Sequence, residues 1–583
     1  MAQSAVRRLP RLALWLLCLA YALPGFIGRD PWRNADMQGF GYMQAIAVGD
    51  SGWWAPRLLG LAPEFDALLP YWLGAWAIQL GEGWLEPHVA VRLPFMALLL
   101  LTLAAGWHAV YQLARSPGAQ PVAFAFGGEA DPKDYARALA DAGLLALIAS
   151  LGLAQFSHET TPSLAQLAFT ALAFHGMAEG SHRHLRAGLT LVIGLAGLAL
   201  SGAPTMAVLL AAGGMLAWLL EPRSTQEPAW DDGSGLMRPD GPGPVGGRTR
   251  ALVIALAGLA VGALATALDL WQWRLAATPL DPGSAIRLVV WFTWPAWPLA
   301  LWTLWRWRHQ LGRRHVFLPL WVAGLASASA LSTPNPDRSL LLALPALAAL
   351  AAFALPTLRR SVSALIDWFT LLFFSGGALV IWVVWISLQT GVPAQPAINV
   401  SRLAPGFEHS FSLLPFAIAL AGTLAWAWLV HWRAGRHRSA LWKSLVLPAG
   451  GAALCWLLLM TLWLPALDYA RSYAPMVREV RRAIDGPGCV EVATLNRGHL
   501  AALRYHADFD LEPARSARDC PWRVTAGGRA PDPQAWRRVA EVRRPADARD
   551  RLVVYRAILP PAGAAAATEA AAPAPSVAPA ARP

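Results

Sequence analysis

Gly28-Arg29-Asp30-Pro31-Trp32-Arg33-Asn34-Ala35-Asp36-Met37-Gln38-Gly39-Phe40-Gly41 follows directly on the first apolar stretch of the chain. An acidic, aromatic-rich segment at the mouth of a membrane bundle can hold a polar molecule where a lipid arrives from the side. The rest of the sequence is of the matching kind: 583 residues, 56% apolar, 14% charged, with a mean hydropathy of +0.40. Soluble domains carry roughly 25% charged residues, so lipid rather than water must solvate most of this chain. The sequence holds no nucleotide-binding loop, no metal-ligand cluster and no hydrolase triad signature.

A membrane-crossing helix needs about 20 mainly apolar residues. Working outward from the quoted segment, spans are expected near 10–28, 90–113, 138–157, 163–181, 187–203, 204–220, 250–273, 286–306, 316–332, 339–357, 363–390, 411–432 and 444–467. That is a mainly α polytopic bundle of about thirteen spans. The first reads as an uncleaved helix, since no small-residue cleavage site precedes Asp30. Basic residues exceed acidic ones by twelve, nearly all as Arg; without an aromatic-interleaved basic groove this is positive-inside bias, not a nucleic-acid surface. Arg7, Arg8 and Arg11, Arg306 to Arg314, Arg359 and Arg360, and Arg433 to Lys443 fall on one side if the N-terminus is cytoplasmic. The expected location is therefore a bacterial inner membrane, with the loop 29–89 and everything after 468 on the periplasmic side. Strict alternation through thirteen spans does not satisfy every one of these placements, so one of the short spans is miscounted.

Trp53, Trp54, Tyr71, Trp72, Trp76 and Trp84 in the loop 29–89 suit helices lying in the interface. The stretches 114–137 and 221–249, rich in Gly, Pro and charge, read as connectors. Residues 468–559 are charged with modest apolar runs and predict a small α/β domain: helix at 476–484, strand at 489–495, helix or strand at 499–506, and a hairpin of 536–544 with 551–559. The Ala/Pro tail 560–583 lacks the means to build a core. Cys18 and Cys455 lie in apolar spans as packing residues, whereas Cys489 and Cys520 are a disulfide candidate if their region is extracytoplasmic, two free thiols being the alternative.

The order of these features resembles the GT-C superfamily of membrane glycosyltransferases, of the bacterial aminoarabinose transferase and protein O-mannosyltransferase type. Asp30 to Gly41 falls where that family has an acidic pair followed by an aromatic; here Asp36 stands alone beside Ala35. Gly49-Asp50-Ser51-Gly52-Trp53-Trp54-Ala55-Pro56 resembles the family's "GDW-x-x-P" segment. Pro70-Tyr71-Trp72 resembles the end of "KPP-x-x-YW", with Phe65-Asp66-Ala67 where the Lys would stand. Arg92-Leu93-Pro94, Ser201-Gly202-Ala203-Pro204 and Arg338 to Pro345 resemble the "RLP", "KGP" and "RYLLPALP" elements. The likeness covers about the first 350 residues in order, and the rest by topology.

The resemblance implies transfer of a sugar from a polyprenyl (undecaprenyl) phosphate to a lipid (lipid A-like) or protein acceptor on the periplasmic face, with membrane lipids and no nucleic acid as partners. Such a transfer needs a base, for which Asp36 is the expectation, the alternative being a helix cap or a partner to Arg33. Glu159, followed by two threonines, is the second catalytic candidate, with a hydrated interfacial carboxylate as its alternative. The leaving phosphate needs cations, and Arg57, Arg92 and Arg338 can supply guanidinium forks; lipid contact and end-of-helix snorkelling are the alternatives for Arg57 and Arg338. Trp32 or Tyr71 could stack on a sugar, and His158 could tune Glu159. Glu64 and Asp66 read as solvated loop charges, with a cationic sugar or a divalent metal as the alternative ligand. No cofactor is implied; a divalent cation is admissible but nothing in the spacing demands one. Two other classes remain open: a transporter or flippase of a lipid-linked saccharide, against which no paired broken helices are visible, and a non-catalytic envelope-assembly protein.

Overall fold

The computed structural model describes residues 3, 6, 8–64, 66–121, 130–179, 184–221, 246–272, 276, 281–434, 440–486, 488–514, 520–527 and 531–558. Most of the connector expected at 221–249 and the whole tail from Pro560 lie outside these residues. The first part of the chain contains α1 (Arg11–Ala22), α2 (Ala35–Ala47), α3 (Leu69–Gly81), α4 (Pro87–Ala90), α5 (Arg92–Ala114), α6 (Pro132–Ala149), α7 (Leu151–Phe156) and α8 (Pro162–Ala178). The middle contains α9 (His184–Leu200), α10 (Pro204–Leu220), α11 (Gly247–Ala267), α12 (Pro282–Phe292), α13 (Ala296–Arg306), α14 (Arg314–Ser332), α15 (Pro336–Leu340) and α16 (Leu344–Ala354). The last part contains α17 (Arg360–Thr390), α18 (Ala394–Leu403), α19 (Leu413–Ala434), α20 (Lys443–Leu462), α21 (Leu464–Arg471), α22 (Ala474–Ala483) and α23 (Arg497–Ala507).

Among the described residues, seven helical segments are long and apolar enough to cross a membrane: Pro87–Ala114, Gly247–Ala267, Arg314–Ser332, Pro336–Thr357, Arg360–Thr390, Leu413–Arg433 and Lys443–Leu462. The chain is a multi-pass membrane protein. The other apolar stretches are helical too, but α1, α9 and α10 are shorter and two expected spans are discontinuous. The stretch 138–157 breaks at Ser150, between α6 and α7, and 286–306 breaks at Thr293–Pro295, between α12 and α13. The breaks meet: the Leu151 amide donates to the Trp294 carbonyl at 3.1 Å. Each interruption frees backbone groups that hydrocarbon cannot satisfy, and here they satisfy one another.

Within the bundle α8 and α9 approach so closely that a Cβ on Gly176 would lie 2.6 Å from the Leu191 amide nitrogen. Small residues at helix crossings are how membrane bundles gain packing without a hydrophobic drive. Local stops are visible in the sequence: Asp131 caps α6 by accepting from the Lys133 and Asp134 amides, and Gly391 ends α17 with φ of 76°.

One face of the bundle carries α2 to α4 and a small domain after α21. The domain sheet consists of β1 (Val490–Ala493), β2 (Leu511–Pro513), β3 (Trp522–Thr525), β4 (Trp536–Arg544) and β5 (Asp547–Ala557). Their order is β2-β1-β3-β5-β4, with β1 parallel to β2 and β3, and β5 antiparallel to β3 and β4. Cys489 and Cys520 are joined in a disulfide that ties the start of β1 to the start of β3. The polar entry segment is stitched to the chain leaving the bundle: Trp32 bridges Ser472 antiparallel, and the Arg33 amide donates to the Arg471 carbonyl at 2.9 Å.

Candidate active site

Helix α2 lies between two neighbours, and its sequence Gly39-Phe40-Gly41 explains how. A Cβ on Gly39 would be 2.6 Å from the Thr160 carbonyl, and one on Gly41 would be 2.5 Å from the Ala501 Cβ. The α7–α8 turn therefore presses on one side of α2, and α23 of the C-terminal domain on the other. Asn34, just before α2, takes φ of 65°, a strained value for a residue with a side chain. It is held there by the pairing of Trp32 and Arg33 to Ser472 and the Arg471 carbonyl at the end of α21.

Asp36 stands in the first turn of α2, where the helix dipole favours an anion. It is 1% exposed and its oxygens are saturated. Oδ1 accepts from the Thr160 amide and hydroxyl, both at 2.7 Å; Oδ2 accepts from Arg29 Nη1 at 2.7 Å and the Trp32 amide at 3.0 Å. Burial works to raise this carboxyl, but the Arg29 and Arg92 guanidiniums and the Thr160 and Trp32 amides outweigh it and leave the pKa below the usual value. Arg29 is equally committed, donating also to the Gly25 and His158 carbonyls, each at 2.6 Å. The partner of Asp36 is thus Arg29; Arg33 instead reaches Asp547 of the C-terminal domain at 3.3 Å.

One residue before Thr160, Glu159 pairs with Arg338 at 2.6 Å, and Arg338 also reaches the Thr161 hydroxyl at 3.4 Å. The Glu159 side chain keeps 17% of its surface exposed, against 2% for Asp36. Burial raises the Glu159 carboxyl above the ordinary glutamate value, opposed by Arg338 and reinforced by the charge of Asp36. Beside the Arg338 end of this pair opens a small cleft lined by Gln38, Tyr42, Glu64, Tyr71, Thr161 and Arg338 among others. Neither Asp36 nor Glu159 is on its wall.

The expected residues therefore separate. Asp36, Glu159, Arg338 and Tyr71 gather around one turn and one cleft. Arg92 is buried behind them, with Nη1 donating to the Phe26 carbonyl at 3.1 Å and Nη2 without a hydrogen-bond partner. Three of the expected residues have other partners in the structure. The Trp32 ring is covered by the Arg29 guanidinium at 4.4 Å and that of Arg471 at 4.9 Å, so it offers no face to a sugar. Its indole N–H is used by Asp468 at 2.9 Å. His158 is packed among Tyr21, Phe26 and Trp456 and donates Nε2–H to the Tyr21 carbonyl; burial pushes its pKa down to about 3, which keeps it neutral and turned away from Glu159. Arg57 is exposed and closes its own turn, to the Gly60 carbonyl at 3.1 Å.

Arg29 and Thr160 were not foreseeable as site residues from the sequence: a charged residue after an apolar span and a threonine in a turn carry no signal of burial. Glu64 is more than a solvated loop charge, since it lines the cleft and pairs with Arg497 of α23 at 3.7 Å. Among the described residues, no group of three or more His, Cys, Asp or Glu side chains could hold a metal ion.

No protein-family model and no curated protein sequence matches the chain. The crystal structure of ArnT from Cupriavidus metallidurans bound to undecaprenyl phosphate is similar, with a TM-score of 0.56 and 14% identity, over 94% of this chain and 96% of that one. ArnT in the apo state gives 0.55 and 14%, over 93% and 96%. The Archaeoglobus fulgidus oligosaccharyltransferase tethered to an acceptor peptide gives 0.43 and 10%, over 88% and 69%. The chain shares the fold of ArnT.

Proposed function

We propose that this chain, which has the fold of ArnT, is a membrane glycosyltransferase that moves a sugar from a polyprenyl phosphate to a hydroxyl of a lipid or protein acceptor. The face carrying the C-terminal domain is taken as the periplasmic face of a bacterial inner membrane, as the basic loops opposite it suggest. One observation carries the reading: the consecutive residues Glu159, Thr160 and Thr161 join a buried ion pair, Asp36–Arg29, to a half-buried one, Glu159–Arg338, at the edge of a cleft. An ion pair removed from water is costly unless fully hydrogen-bonded, and the fully bonded one is Asp36–Arg29. The Glu159–Arg338 pair is the one able to exchange partners.

In this mechanism a donor phosphate entering the cleft takes the Arg338 guanidinium in a bidentate fork and releases Glu159. The acceptor oxygen then forms a bond to the sugar's anomeric carbon as the bond from that carbon to the phosphate oxygen breaks. The electron pair leaves on polyprenyl phosphate, and the acceptor's proton passes to Glu159, whose raised pKa suits a base better than that of Asp36. Asp36 is then a positioning residue that holds the Glu159 turn against α2 through Thr160. Tyr71 supplies the aromatic wall of the cleft, and Arg92 adds positive charge behind Asp36. That one ArnT structure contains undecaprenyl phosphate supports a donor of this class.

Purified protein supplied with undecaprenyl-phosphate sugars and envelope extracts should yield a glycosylated product by mass spectrometry. Glu159→Gln should abolish the product while the protein stays folded. Full activity in that variant would remove the base assignment. A second reading, transport of a lipid-linked saccharide, is favoured by the meeting of the broken spans at Leu151 and Trp294. Movement of saccharide across vesicles with no covalent product would select it.

A further inference from the structure

The ends of α17, α19 and α20 enclose a second cleft, separate from the one at Arg338. It lies on the same face. Pro465 and Ala466 of α21 form part of its wall, and Asp468, less than a turn further on, accepts from the Trp32 indole. Two aromatic residues, Trp385 and Phe407, line it together with Gln389, His409, Ser412 and Thr461; no Lys, Arg, Asp or Glu is on the wall. The aromatics are fixed in place: Trp385 stacks on Phe416 at 5.6 Å, and Phe407 packs on Tyr469 at 5.6 Å.

The setting of this cleft is lipid. Only 22% of the apolar window of α17 and 11% of that of α19 is buried within the protein, and Leu372, Leu379, Leu413 and Leu424 are exposed along them. Between these helices the chain runs out through α18, which buries no residue and leaves Leu403 70% exposed; Val392, just before it, is 71% exposed. A short amphipathic helix of that kind rests in the head-group layer. The cleft therefore opens sideways at the level of lipid head groups. Fixed aromatic faces with amide, imidazole and hydroxyl groups around them match a polyhydroxyl ligand, whose C–H faces pack on rings and whose hydroxyls exchange hydrogen bonds. The charge-free wall offers a phosphate no cation.

We propose that this cleft binds the neutral saccharide portion of a membrane-anchored glycolipid, entering from the bilayer between α17 and α19. The assignment rests on the transferase reading only for its consequence, that the acceptor is a glycolipid whose further sugars dock away from the reacting hydroxyl. Binding itself can be tested without turnover.

The full chain would be placed in phosphatidylcholine nanodiscs with a diglycosyl diacylglycerol carrying a photoreactive group on its sugar. Labelling should concentrate on the peptides containing Trp385–Gln389 and Phe407–Ser412, and excess unlabelled glycolipid should compete where phosphatidylglycerol does not. Gln389→Ala and His409→Ala, both at exposed or half-buried positions, should together reduce labelling there about tenfold, with labelling near Leu372 unchanged. Labelling spread evenly along α17 and α19, equal competition by phosphatidylglycerol, or an unaffected double variant would each overturn the site. Equal competition by a soluble disaccharide would overturn its membrane-borne source. Loss of sugar transfer with labelling intact would remove the transferase reading and leave this one standing.

Discussion

Arg29 and Asp36 form an ion pair at 2.7 Å with side chains 1% and 2% exposed, seven residues apart across the entry to α2. Neither has a solvent route to compensate for losing the other. Removing one partner of such a pair costs about 3–5 kcal/mol, because the remaining charge stays buried. Arg29→Ala should therefore lower the thermal unfolding midpoint in detergent sharply, whereas Arg57→Ala, at an exposed turn, should change it by no more than about 0.5 kcal/mol. Equal effects would show that the pair is not the anchor of the first loop.

Glu159 and Arg338 should behave differently. Glu159→Gln leaves the neutral isostere beside the guanidinium and frees Arg338 for phosphate. The expected outcome is loss of turnover with undecaprenyl phosphate binding kept or tightened. Arg338→Lys keeps the charge but loses the fork, and should raise KM for the donor more than it lowers kcat. A kcat loss with unchanged KM in Arg338→Lys would place Arg338 away from the donor phosphate.

The two carboxylates predict two separate acid transitions. Glu159, raised by burial, must be ionised to act as a base, so activity should fall as pH drops through a value above that of an ordinary glutamate. Asp36, lowered by Arg29, Arg92 and two amides despite its burial, contributes stability that is present above its unfolded pKa and lost as pH falls through its lower folded pKa. A pH–rate profile and a pH–unfolding profile should therefore separate, with activity lost first. Coincident transitions would mean that one group controls both.

Gly41 meets Ala501 of α23 with no room for a side chain. Gly41→Leu should push the C-terminal domain off α2 at a cost of about 1–3 kcal/mol. It would also strain the contacts Arg497–Glu64 and Arg504–Asp50 that cross the same boundary. Faster tryptic cleavage around Arg478–Arg482 with the bundle intact is the expected result. An unchanged digestion pattern would show that the domain docks through other contacts.

Reduction of Cys489–Cys520 opens a loop of 31 residues. The chain-entropy relation puts its contribution near about 3.5 kcal/mol. Cys489→Ser with Cys520→Ser should lower the unfolding midpoint of the C-terminal domain while leaving helix content of the bundle unchanged.

Residues 499–506 stayed open between helix and strand until the structure showed α23, whereas the apolar stretches and the aromatic run of the first loop could be read directly, because they rest on local hydrophobicity and spacing. So could the position of Asp36 next to an apolar span. Its role could not. Asp36, expected as the base, is bonded on both oxygens, and two of its donors belong to Thr160, 124 residues away. Trp32 reads as a sugar platform until its ring is seen buried, with the Arg29 and Arg471 guanidiniums packed on it.

Membrane embedding, the broad division into bundle and polar C-terminal region, and the pairing candidates Cys489 and Cys520 were determined by the sequence alone, since lipid solvation and chain connectivity act residue by residue. Only the tertiary structure decided that α6–α7 and α12–α13 break where they touch, and that Glu159 meets Arg338 across 179 residues. Buried charges and freed backbone groups take whatever partner the packing brings near, and that choice is made in three dimensions, after the helices have formed.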